Sequence, residues 1–154
     1  MTETYEQMTK RHQERVNALP MYWAFSEQQW QELLKKLGLT EEQAKEQLVQ
    51  YKGAIVRECD IAECQATFNE INIETEIAYK DPEFFKDACL YEMRNHEYGI
   101  NWQADWDVLT GLGFQVRYSD GKELDEAPLT AEQKQAYLAA KAEYYKLAEE
   151  NEWF

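Results

Sequence analysis

Serine appears only twice in these 154 residues, at Ser26 and Ser119, and histidine only twice, at His12 and His96. Neither serine sits on the glycine-flanked turn that an esterase-type nucleophile requires, and no spacing ties a cysteine to either histidine. The six glycines are scattered, and Gly111 and Gly113 precede a strand-like run instead of a helix, so no phosphate-cradling loop is present. Three cysteines, Cys59, Cys64 and Cys89, are an odd number and form no disulfide framework. A structural zinc site pairs its thiolates closely on a turn and then pairs them again. Here Cys64 and Cys89 fall on apolar helical positions, where a thiol acts as a small hydrophobe. No catalytic set, metal site or cofactor is therefore expected. No apolar run nears the roughly 18 residues of a membrane-crossing helix, and "MTETYEQMTKRHQER" is too polar for a secretory leader. The expectation is a soluble cytoplasmic protein.

What is abundant is aromatic and acidic. Five tryptophans and ten tyrosines are more than a disordered chain of this charge carries, so a core is expected. Thirty acidic residues against 16 basic ones give a net charge of −14. That field repels nucleic acid and anionic membrane and suits a basic protein partner. Acidity also serves solubility alone.

Helix signals recur along the chain. A polar helix runs from about Glu3 to Leu19 and stops at Pro20. "MYWAF" (21–25) reads as a short buried strand. Capping boxes at "SEQQ" from Ser26 and "TEEQ" from Thr40 open two helices, the first closed by Gly38 and the second running to about Tyr51. "AIVREC" (54–59) is β-branched and strand-like. Asp60 precedes a helix to about Tyr79. "DPEFF" gives an N-cap at Asp81 and proline at the first helical position, with Phe85, Ala88, Cys89 and Met93 forming its stripe. A short helix follows Asn101, "FQVRY" (114–118) alternates as a strand does, and "TAEQ" at Thr130 opens a long final helix. The fold class expected is mainly α, within α+β: about six to seven helices and a small sheet of about three short strands. Residues 1–121 form a single acidic domain, and 122–154 a tether and helix that packs on it or joins copies as a homodimer.

The one internal histidine lies in "YEMRNHEYGIN" (91–101). His96 and Glu97 are adjacent, point about 100° apart on a helix, and cannot chelate one ion together. The second histidine of a zinc-peptidase motif is missing, because position 100 is isoleucine. A structural corner of Asn95, His96, Glu97 and Gly99 is expected. His96 would bond Glu92 or Asp105, and Asn95 and Gly99 would take left-handed conformations. Chemistry centred on His96 is the alternative.

Charge is clustered. Thirteen acidic residues stand against three basic ones between Glu58 and Asp107. Glu63, Glu70 and Glu74 lie at i, i+7 and i+11, on one helix face, and Glu76, Glu83 and Asp87 follow a similar spacing. These six carboxylates are the expected partner-binding set. Trp153 and Phe154, aromatic and near the end of the chain, are expected to dock on a partner or a second copy.

"WAFSEQQWQELLKKLGL", "YEMRNHEYGI" and "DWDVLTGLGF" together resemble a family of small uncharacterised proteins, a domain of unknown function found in bacteriophages, integrative elements and gut bacteria. The resemblance covers about Tyr22 to Phe114. It carries no catalytic residues over; it implies a mobile-element accessory protein in a bacterial cytoplasm. Joined to the acidic cluster, it gives the functional expectation of a non-enzymatic inhibitor of a basic, nucleic-acid-binding host protein, such as a CRISPR effector nuclease. An interaction module whose acidity is incidental is the other expectation.

Overall fold

The computed structural model describes residues 2–153, which contain eight α-helices, one 3-10 turn and a three-stranded antiparallel sheet. The protein is an α+β protein dominated by helices. Its chain forms two compact units: residues 11–73, and residues up to Lys10 together with those from Glu74 onward.

The unit of residues 11–73 holds the sheet. Helix α1 (Tyr5–Asn17) ends in it, and β1 (Met21–Tyr22), α2 (Glu27–Leu37), α3 (Glu41–Gln47), β2 (Leu48–Tyr51) and β3 (Ala54–Arg57) follow. Ser26 caps α2 by accepting from the Gln29 N–H, and Gly38 closes it at φ 69°. Its capping box is not closed, because the Gln29 side chain accepts from the Phe25 N–H instead. Thr40 and Gln43 do form a full capping box on α3. That helix stops at Gln47, four residues before the expected end. Val49 pairs with Val56 and Tyr51 with Ala54, across a two-residue turn in which Lys52 (φ 51°) and Gly53 (φ 81°) both take positive φ. Two positive φ values match the right-handed twist of a tight hairpin. β3 is the central strand, with β1 on its other side (Met21 opposite Val56). Met21, Ala54, Val56 and Cys64 are buried together.

The second unit is helical. The last turns of α4 (Ile61–Ala78) lead into α5 (Pro82–Asn95), α6 (Ala104–Gly111), the single turn α7 (Glu123–Glu126) and α8 (Ala131–Glu150). Asp81 caps α5 with Pro82 behind it, and Thr130 with Gln133 forms a full capping box on α8. Phe85, Ala88, Cys89 and Met93 of α5 are fully buried against Tyr137, Ala140, Tyr144 and Ala148 of α8. Small alanines between large tyrosines let the two helices approach, and a fully buried side chain of Phe or Met size contributes roughly 1.5–3 kcal/mol. The 122–130 stretch therefore lies inside this unit and is tied down. The Glu123 carboxylate is buried and accepts from the Ser119 and Gly121 N–H groups. Burial pushes its pKa up, but these and neighbouring backbone donors outweigh burial and hold it below the ordinary carboxylate value.

The strand expected at 114–118 does not form. Phe114 donates its N–H to the Leu109 carbonyl and packs its ring on Tyr79 and Phe85, while the Val116 carbonyl accepts from Trp106 Nε1. The segment serves as a core plug, its backbone committed to α6.

Candidate functional site

Helix α5 ends in a corner whose geometry follows from two hydrogen bonds. The Tyr98 N–H donates to the Met93 carbonyl and the Glu97 N–H to that of Arg94, the Schellman pattern, which requires a left-handed residue at the first position past the cap. That residue is Glu97, at φ 51°; Asn95 and Gly99, expected to be left-handed, are not. Register decides this. Tyr98 must be the residue that returns to the core beside Met93, both being buried, and that places Glu97 at the strained position. Gly99 donates its N–H to the Tyr144 hydroxyl, and the Asn101 side chain donates to the His96 carbonyl and to Asp107.

Behind the corner lies a buried polar cluster. Glu92 is buried, accepts from the Tyr5 hydroxyl at 2.7 Å and stands 3.2 Å from His96 Nε2. Of the two partners expected for His96, Glu92 is the one engaged. Asp105 is occupied by the hydroxyls of Tyr98 and Tyr137, at 2.7 and 2.5 Å. Burial, then Tyr79 and the bond to Glu92, push the Tyr5 phenol far up, so it stays a donor. Burial and the Asp105 contact do the same for Tyr137 and Tyr98. Gly111 touches this cluster; a Cβ there would lie 2.6 Å from Glu92 Oε2 and 3.2 Å from His96 Nε2. Cys89 is buried and its thiol pushed well above its usual value by burial, which removes the thiolate that nucleophilic or ligand chemistry needs. No group of three or more His, Cys, Asp or Glu among the described residues could hold a metal ion. The arrangement clamps α1, α5 and α6 together.

Nothing in the sequence marks Tyr5, Tyr98 and Gly111 as members of this cluster. The start of α1 meets α5 across more than 80 residues of sequence, and only the Tyr5, Met8 and His12 spacing on α1 hints at a buried face.

The six expected binding carboxylates divide. Glu63, Glu76 and Glu83 are exposed. Glu70 is already paired with Arg15, Glu74 is half-buried, and Asp87 accepts from the Tyr5 N–H at the start of α1. On α4, Glu63, Glu70 and Glu74 do share a face, but Glu76 points about 140° away from Glu63. The turn at 79–81 separates it from Glu83 and Asp87, so the spacing counted through it carries no shared face. Trp153 folds back on its own chain: its N–H donates to the Ala148 carbonyl, its ring lies 5.5 Å from Tyr144, and Arg94 covers it. Phe154 lies outside the described residues.

Fold and cluster together define a helix-dominated α+β protein with a tyrosine–carboxylate clamp in its helical unit. The chain belongs to a family of unknown function, DUF7659, which matches residues 4–134. That span includes Tyr5, Glu92, His96 and Gly111 and reaches beyond the motifs read from the sequence at both ends. No curated protein and no solved structure matched. No helix among the described residues is long and apolar enough to cross a membrane.

Proposed function

We propose that this protein is a non-enzymatic binder of a basic, nucleic-acid-binding protein, and that it competes with phosphate for that partner's cations. The observation that carries the reading is the net charge of −14; Glu63 in one unit, and Glu76 and Glu83 in the other, are each exposed and form no salt bridge to a described residue. Exposed carboxylates already partnered at home, such as Glu70 and Asp87, offer less. A setting in a bacteriophage or mobile element, with a host-defence nuclease as the target, follows from the resemblance in the sequence and gives the acidity a purpose. Charge-driven binding of this kind is fast and weakens with salt.

The test is a pull-down from bacterial lysate, eluted by rising salt and by competing duplex DNA. Recovery of a DNA- or RNA-binding protein that leaves with either, and is not held by a folded Glu63→Lys, Glu76→Lys, Glu83→Lys triple variant, supports the reading. Retention that ignores salt, or that survives the triple variant, rejects it. It would instead favour an interaction through the exposed Leu138 and Tyr145 on α8, an apolar contact that salt does not screen.

A further inference from the structure

The corner and the returning tail border an open pocket of about 410 Å³, lined by Arg94, Glu97, Ile100, Tyr144 and Trp153. Its size lies within the roughly 300–1,000 Å³ of small-molecule sites. We propose that it is a binding site for a small zwitterion with an apolar side chain, of the α-amino acid class.

Three observations converge. First, the cavity carries one cation and one anion, and neither Arg94 nor Glu97 forms a salt bridge among the described residues. Second, the Arg94 guanidinium lies over the Trp153 ring, 5.5 Å from its centroid. A guanidinium carries its N–H donors as a planar fork that matches a carboxylate. The contact with the ring leaves those donors without a carboxylate among the described residues. Third, the remaining wall is apolar: Ile100 is 65% exposed, and Trp153, 40% exposed, leans on Tyr144. A ligand's carboxylate goes to Arg94, its ammonium to Glu97 and its side chain to Ile100 and the two rings.

The chain sustains strained backbone on both sides of this cavity. Glu97 holds φ 51° and Glu152, which turns Trp153 back, holds φ 53°. Neither is glycine, and a residue with a Cβ at such angles costs on the order of 1 kcal/mol or more. Glycine would satisfy the backbone at position 97 better, but would bring no carboxylate to the cavity. Arg94, Glu97 and Ile100 fall within the family's matched residues and Tyr144 and Trp153 beyond them.

The experiment follows the Trp153 indole N–H resonance while leucine, methionine and phenylalanine are added, each beside its decarboxylated amine and its deaminated acid. The expected result is that at least one amino acid binds with a Kd of about 1 mM or tighter, and that its amine and its acid each bind at least about tenfold more weakly. Glu97→Gly should erase the preference over the acid, and Arg94→Gln the preference over the amine. Glu97→Gly places the favoured residue at a left-handed position, so its loss of binding cannot be laid to unfolding. The proposal fails if no amino acid moves the resonance, if the single-charge analogues bind as well as the parent, or if both variants bind as the unaltered chain does.

Discussion

Gly111 shows how a single residue can be fixed by contacts far from it in sequence. Its carbonyl lies 3.4 Å from the Tyr5 hydroxyl, and the space where a Cβ would stand is filled by the Glu92 carboxylate. In an ordinary helix, replacing glycine by alanine stabilises by roughly 0.5–1 kcal/mol. Here Glu92 cannot yield, since Tyr5 and His96 hold both its oxygens and it is buried. Overpacking a core in this way costs typically 1–3 kcal/mol, which outweighs the gain in helix propensity. Gly111→Ala should therefore lower the urea midpoint, whereas Gly113→Ala, with nothing within 4 Å of the added methyl, should cost only the strain of its φ of 98°. A stabilised Gly111→Ala protein would show that Glu92 is free to move and that the clamp is loose. None of this could be read from the sequence, because a glycine followed two residues later by another looks like a helix terminator and nothing more.

At the scale of elements, the signals that depend on neighbouring residues were legible, and those that depend on partners were not. The capping box at Thr40, the helix start at Thr130, the Asp81–Pro82 start and the Gly38 stop stand where the residues placed them. So does the α5 stripe of Phe85, Ala88, Cys89 and Met93. Strands depart most: the buried strand expected at 21–25 forms only at Met21–Tyr22 and leaves Trp23 and Phe25 exposed, and two further segments differ. The capped start at Thr40 is strong enough locally to carry a helix through Leu48–Tyr51, but the Lys52–Gly53 turn pairs that segment with Ala54–Arg57 instead. Residues 114–118 have a strand's alternation but no ladder to join, and their carbonyls and rings are taken by Trp106, Tyr79 and Phe85. The long α8 offers the cleanest measure of a local signal inside a packed fold. Thr130 accepts from the Gln133 N–H and Gln133 returns the bond to the Thr130 N–H. Thr130→Ala removes one of these and should cost about 1 kcal/mol in equilibrium unfolding, the usual loss for an N-cap. A cost near zero would mean that packing on α5 alone holds the first turn.

For the whole molecule the dominant quantity is a net charge of −14. Ion pairs between lysine or arginine and carboxylate, such as Arg15–Glu70, Lys86–Glu143 and Lys134–Asp125, have partly to well exposed side chains. Such pairs contribute about 0–1 kcal/mol each, while repulsion among unpaired carboxylates works against the compact state. Salt weakens both, and the excess of acid decides the sign. Raising ionic strength from about 0.01 M to about 0.15 M shortens the screening length from about 30 to about 8 Å, and the Tm should rise. A flat or falling Tm would mean that the carboxylates are compensated in ways their exposure does not reveal. The same titration bears on function, because added salt weakens attraction to a basic partner. If the Tm climbs while a partner is released over one range of salt, release cannot come from unfolding. Stability and binding then respond to the same charges with opposite sign, as they must if those charges face outward toward a partner instead of holding the fold together.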